Sequence, residues 1–284
     1  MTGAATATCH PAPRILIREP DPEATASWAA YGWRAAPDPE GLLREHRAFH
    51  RLLEGAGATV VVGRTPVADD PDAIYVRDPV LVTGSGVICL RPGKPGRRGE
   101  PRSVASDLAA AGIEVAATMS SPATAEGGDM FFLDPHTLLV GRSYRTNDAG
   151  VAFLAANLPG VDVLAFDLPH LRGAGEVLHL MSLISPLGPS LAVVYPPLMP
   201  VRCIELLADR GVRLIEVPPE EFESMGANVL AVGTGVAVVR DGSPETRRRL
   251  ERAGLDVRAY VGEELSRKGD GGPTCLTLPL DPAR

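Results

Sequence analysis

Cysteine is scarce in this chain. Its 284 residues hold four, Cys9, Cys89, Cys203 and Cys275, widely scattered and without paired spacing. That pattern is neither a disulfide framework nor a zinc motif, so no structural metal is expected. Disulfides belong to oxidising compartments, and a reducing cytoplasm is the expected location. Long apolar runs are missing too: none approaches the roughly 20 residues that span a bilayer. Nor is there an excess of positive charge. Lys and Arg number 28 against 35 Asp and Glu, a formal charge of -7, which argues against nucleic acid or an acidic membrane as partner. The opening MTGAATATCHPAP has no basic segment leading into an apolar stretch, so no secretory signal is expected.

What is present is the composition of a soluble globular enzyme, 45% hydrophobic and 22% charged. The length allows one large domain or two small ones around a sizeable core. Residues 1–12 read as a disordered tail. Arg14 to Arg18 reads as a short buried strand. Residues 19–37, with Trp28 and Trp33 and no periodicity, suit a surface loop or a lid. Asp38-Pro39-Glu40 is a helix start, an N-cap carboxylate followed by proline at the first helical position. Leu42, Leu43, His46, Phe49, Leu52 and Leu53 then recur at helical spacing until Gly55 and Gly57. Thr59 to Val62 predicts a strand.

An internal repeat organises the rest. Residues 80–95 read VLVTGSGVICLRPGKP and residues 229–244 read VLAVGTGVAVVRDGSP, with half of the positions identical. Each copy predicts a hairpin with a glycine turn, then a helix, then a strand. The helices are expected at Ser103–Ala111 and Pro244–Ala253, the strands at Ile113–Val115 and Leu255–Val257. Met130 to Gly141 and Leu180 to Tyr195 echo the hairpin, each followed by a helical stretch, Asp148–Leu158 and Pro200–Asp209. No boundary splits the series, so one domain over residues 13–284 is expected.

Chemistry-bearing residues cluster at equivalent places in these units, at or just before a first strand. They are Asp78, Glu126-Gly127-Gly128-Asp129, His179 and Cys275. The cysteine follows the glycine-rich Gly269-Asp270-Gly271-Gly272, where the backbone can take unusual dihedrals and let a ligand approach. A lone cysteine is more often a small core hydrophobe. A histidine within Val177-Leu178-His179-Leu180 can equally be a satisfied core group, and Glu126 to Asp129 can be a turn. Units stacked around an axis would instead bring the four positions to one central mouth. There, cysteine, histidine and carboxylate form a nucleophilic site.

Six motifs in order carry a resemblance to a known family. They are Pro71-Asp72-Ala73-Ile74-Tyr75-Val76-Arg77-Asp78, Arg91-Pro92-Gly93 with Arg97-Arg98, Glu126-Gly127-Gly128-Asp129, Gly141-Arg142-Ser143-Tyr144-Arg145-Thr146-Asn147, Leu178-His179-Leu180-Met181-Ser182, and Thr274-Cys275. Over residues 13 to 280 the chain resembles the guanidino-group-modifying enzymes, the pentein superfamily, and within it dimethylarginine dimethylaminohydrolase. The resemblance implies an α/β fold, a five-bladed pseudo-symmetric propeller with a central funnel. It implies no cofactor, and a small guanidino amino acid as partner. Nothing in the sequence speaks against a homo-oligomer.

The resemblance also implies roles. A guanidinium carbon is poorly electrophilic, and thiolate is the strongest nucleophile a protein offers near neutral pH. Cys275 would attack it, passing through a covalent thiouronium. His179 would act as general acid and base, and Glu126 would orient and charge-stabilise it. Asp78 would pair with the guanidinium, and Asp72 with the α-ammonium. Arg97 and Arg145 would hold the α-carboxylate, with solvated surface charge as the alternative for Arg97 beside Arg98. Arg91 and Arg142 read as structural, and Asp129 as a structural or minor site residue.

Two positions depart from the pattern. Arg77 stands where dimethylargininases commonly have an acid. Met181 stands where arginine deiminases, agmatine deiminases and glycine amidinotransferases have aspartate. One carboxylate fewer favours a methylated guanidinium. Gly271-Gly272-Pro273-Thr274-Cys275 looks more like the arginine deiminase terminus, although the chain is too short for that family's helical insertion. The expected activity is hydrolysis of N-methylated arginine to citrulline and a methylamine. The alternatives are hydrolysis of free arginine or another guanidino acid, an amidinotransferase, and a non-catalytic binding module.

Overall fold

A computed structural model describes residues 12–281. Of the expected tail, residues 1–11 lie outside that range, and Cys9 with them. The described chain forms five three-stranded sheets. Strands β1 (Arg14–Arg18) and β2 (Thr59–Gly63) flank helix α1 (Pro39–Gly55). Next come β3 (Val80–Thr83), β4 (Gly86–Cys89), α2 (Glu100–Ala110) and β5 (Val115–Thr118). The third unit is β6 (Met130–Asp134), β7 (Thr137–Arg142), α3 (Asp148–Asn157) and β8 (Asp162–Asp167). The fourth is β9 (Ile184–Gly188), β10 (Leu191–Val194), α4 (Val201–Asp209) and β11 (Arg213–Glu216). After the short α5 (Pro219–Phe222) come β12 (Leu230–Ala231), β13 (Val236–Arg240), α6 (Pro244–Arg252), β14 (Asp256–Tyr260) and finally β15 (Leu278–Pro279).

Every sheet follows one plan. The first strand runs antiparallel to the middle one, and a helix crosses over to a third strand parallel to the middle. In the remaining sheet β15 plays the first strand. It pairs antiparallel to β1, Leu16 opposite Leu278, while β1 pairs parallel to β2. The last strand thereby closes the ring onto the first, giving the five-bladed α/β propeller that the resemblance implies.

Side-chain alternation fills the gaps between blades. Ile15 and Ile17 of β1 pack with Leu42, Phe49 and Leu53 of α1 and with Leu230 and Val238 of the fifth blade. Leu16, on the opposite face, packs with Val80, Val87 and Leu108 of the second blade. Phe49 and Leu53 are essentially fully buried, so truncating either to alanine would cost about 2–5 kcal/mol. Helix starts follow local capping: the Asp38 carboxylate accepts from the Gly41 amide at 3.0 Å, and the Asn147 side chain from the Gly150 amide at 2.8 Å.

Three expectations need correction. Helix α2 begins at Glu100, three residues early, because Glu100 is itself buried and paired with Arg97. Strand β5 begins at Val115, since Gly112 turns the chain at φ 80° and Ile113 is spent packing on the core. Residues 19–37 are not wholly surface: Trp33 is buried and donates its indole N–H to Asp72 at 2.7 Å.

Candidate active site

Residues that precede three of the five first strands meet at one cavity of about 410 Å³. Cys275, His179 and Asp78 line it together with Asp72, Lys94, Arg97 and Arg145. Cys275 is reached through the turn 269–274, which lies against Tyr75; a Cβ on Gly271 would overlap the tyrosine ring. Only glycine permits that approach. Gly128 meets the same constraint under His179 and Asp78.

His179 and Glu126 form a buried pair, Nε2 to Oε2 2.8 Å. Burial alone would raise the Glu126 carboxyl. The hydrogen bond and charge of His179, with Arg145 and Arg97 behind them, overcome it and hold the carboxyl well below the usual range. Burial likewise opposes the His179 imidazolium. Asp78, Asp129 and Glu126 outweigh burial and push its pKa up to about 9. The imidazole is thus charged at neutral pH. The Cys275 thiol moves upward, first through burial and then through the Asp78 charge.

Asp78 is held by two donors: the Gly128 amide on Oδ1 at 2.9 Å and Arg97 Nη1 on Oδ2 at 2.6 Å. His179 Nδ1 lies 3.8 Å from Oδ1. Asp78, Glu126 and His179 offer ligand atoms within 4.8 Å of one another, a grouping that could hold a cation. Glu126 is already engaged by His179 and Arg145, and Asp78 by Arg97.

Arg97 corrects one sequence expectation: it lines the cavity and is not solvated surface charge. The residue is 3% exposed, and its guanidinium forms a two-point pair with Glu100 at 2.6 and 2.9 Å. Its remaining bonds go to Asp78 and the Tyr75 carbonyl. Arg145 does reach the cavity, with Nη1 3.3 Å from Glu126 Oε1. Asp72 is also engaged: Lys94 Nζ lies 2.5 Å from Oδ2 and Trp33 donates to Oδ1. Lys94, which the sequence reading passed over, also donates to the Tyr31 carbonyl at 2.6 Å. Arg91 donates to the Ala123 carbonyl and Arg142 pairs with Asp167. Asp129 accepts from the Ser143 hydroxyl and the Leu180 amide, tying the third blade to the fourth. Those three are structural contacts. Cys89 and Cys203 are buried in strand and helix.

Asn228 was missed altogether. Its amide donates to Cys275 Sγ at 3.5 Å. The repeat held the signal, because Asn228 stands just before β12, the fifth blade's first strand.

A thiol, an imidazolium backed by a carboxylate, and a second carboxylate around one cavity equip the site to bind a flat cation, attack it and protonate a leaving amine. The eukaryotic N,N dimethylarginine dimethylhydrolase family model matches residues 38–277. The chain is 29% identical over 271 residues to the N(G),N(G)-dimethylarginine dimethylaminohydrolase of Streptomyces coelicolor, covering 95% of this chain and 98% of that protein. It is 28% identical over 254 residues to the arginine deiminase of Listeria welshimeri, covering 74% of this chain and 61% of that longer protein. A solved structure of a DDAH mutant from Pseudomonas aeruginosa, complexed with citrulline, matches with a TM-score of 0.78 at 26% identity, covering 95% of this chain and all of that one.

Proposed function

The chain belongs to the N,N-dimethylarginine dimethylhydrolase family, and we propose that it hydrolyses N-methylated arginine to citrulline and a methylamine with Cys275 as nucleophile. It is a hydrolase acting on guanidino groups. The observation that supports the reading most is the shared cavity of Cys275, Asp78 and His179, the last paired to Glu126.

In this mechanism Asp78 pairs with the substrate guanidinium. Burial and, after it, the Asp78 charge favour the protonated thiol in the empty site; a cation seated on Asp78 offsets that charge and favours the thiolate. Sulfur attacks the guanidinium carbon, a C–S bond forms, and one C=N pair moves onto nitrogen. His179 gives its proton to the methylated nitrogen, the C–N bond breaks, and the amine leaves an S-alkylthiouronium on Cys275. Water then adds to that carbon while His179 takes its proton. The C–S bond breaks as the added oxygen becomes the ureido carbonyl and its remaining proton passes to solvent, returning thiolate and citrulline. Glu126 keeps the ring oriented and stabilises its charged form before and after each transfer. Asp72 faces the α-ammonium in competition with Lys94, and Arg145 the α-carboxylate. Arg97 acts one step back, by fixing Asp78.

Comparing product formation from dimethylarginine, monomethylarginine, arginine and agmatine tests this. The methylated substrates are expected to give citrulline fastest. Equal or faster citrulline from arginine would move the enzyme to deiminase chemistry, and ornithine from arginine to dihydrolase chemistry. Agmatine lacks the carboxylate, so fast agmatine turnover would remove Arg145 from its role. A single catalytic domain over residues 13–284, a cytoplasmic location and a reaction free of metal and cofactor belong to the same proposal. Among the described residues no helix is long and apolar enough to cross a membrane.

A further inference from the structure

Four of the five blades bring an obvious reactive group to the site from the residues just before their first strand, three of them to the cavity wall. Cys275 precedes β15, Asp78 precedes β3, Glu126 precedes β6 and His179 precedes β9. The fifth blade brings Asn228, two residues before β12 and 8% exposed.

The orientation of its amide is fixed by its neighbours. Asn228 Oδ1 accepts twice from Thr274, from the backbone N–H at 3.0 Å and the hydroxyl at 2.9 Å. Exchanging oxygen and nitrogen would set two N–H groups against each other, so oxygen faces Thr274 and Nδ2 must face away. It faces Cys275 Sγ at 3.5 Å. The backbone on either side is pinned, with Asn228 N–H on the Met225 carbonyl and Val229 N–H on the Ser185 hydroxyl. Gly272 leaves room for the side chain, since a Cβ there would overlap it.

We infer that Asn228 is a positioning residue for the nucleophile, holding Cys275 Sγ by a donated N–H that favours thiolate over thiol and aims the sulfur. A donor to sulfur is worth more when the sulfur is charged. Burial and then Asp78 push the thiol up, while the Gly272 backbone, Asn228 and Thr274 pull the other way. Asn228 therefore supports the thiolate twice per turnover, as it attacks and as it leaves. This rests on Cys275 being the nucleophile.

The test is alkylation by iodoacetamide of the substrate-free enzyme across pH, read by mass spectrometry on the peptide carrying Cys275, with Cys275→Ser as blank. Two variants separate the roles of the side chain. Asn228→Asp keeps the oxygen that Thr274 bonds and replaces the N–H facing sulfur. Asn228→Leu matches the shape without charge. Loss of one hydrogen bond to a charged group is expected to slow alkylation near neutral pH about tenfold in each folded variant. The midpoint should move upward, and kcat should fall while KM stays within about threefold. Wild-type alkylation behaviour in either folded variant overturns the inference. So does failure of both to fold, which would make Asn228 a strut for the 269–274 turn. Alkylation needs no turnover, so a wild-type enzyme inert toward dimethylarginine would sink the activity assigned above and leave this measurement readable.

Discussion

Arg77 Nη2 lies 3.3 Å from the sulfur of Met181. The residues at the two positions singled out in the sequence therefore touch one another. Neither lines the cavity, and Met181 packs in the apolar cluster between the third and fourth blades. Burial lowers the pKa of Arg77, and the neighbouring Asp78 charge opposes it.

A carboxylate at 181 would thus meet a cation before it met substrate. Met181→Asp is expected to form an internal pair with Arg77. The ratio of kcat/KM for dimethylarginine to that for arginine should then change by less than the tenfold that about 1.4 kcal/mol represents. Measuring both specificity constants checks it. A larger swing toward arginine would place the new carboxylate on the substrate.

Replacing the proposed nucleophile should separate fold from chemistry. Cys275→Ser is expected to cut turnover by about a thousandfold or more, while thermal denaturation stays within about 4 °C of wild type. Full activity in a correctly folded serine variant would assign the nucleophile elsewhere.

Glu126→Gln removes the charge and keeps the shape. Turnover is expected to fall by about 10²–10⁴, with a much smaller change in KM. The imidazolium would lose a negative partner, so its titration by NMR should move down from about 9. A pure affinity loss with an unmoved His179 midpoint would contradict the assigned role.

The same histidine gives stability a pH dependence of known sign. Burial lowers its pKa, but Asp78, Asp129 and Glu126 raise it from 6.5 to about 9 in the folded protein. The extra stability is fully present below 6.5 and is lost as pH rises through about 9. Melting temperature is expected to decline across that window and to decline less in His179→Gln. Turnover should fall over the upper part of the window, where the proton for the departing amine is gone.

Much of this site could be read from the sequence because the chemistry follows the repeat. Asp78, Glu126 and His179 stand out as charged or titratable residues at the starts of units, and a ring of units brings them together. Arg97 could not be read that way. Next to Arg98 it looks like surface charge, and what buries it is Glu100 together with Asp78, 19 residues away in sequence. Lys94 and Trp33 were hidden for the same reason, since both act through Asp72 from distant segments. Asn228 was passed over because an amide is neither acid nor nucleophile, although its place in the fifth unit was visible.

Ring closure has a consequence for when the enzyme becomes chemically dangerous. Cys275 sits three residues before β15, and β15 is held by β1, at the other end of the described chain. A nascent polypeptide still lacking that final pairing has no means of presenting its sulfur to a guanidinium. Reactivity is therefore gained in the same step that seals the circle, when β15 pairs with β1.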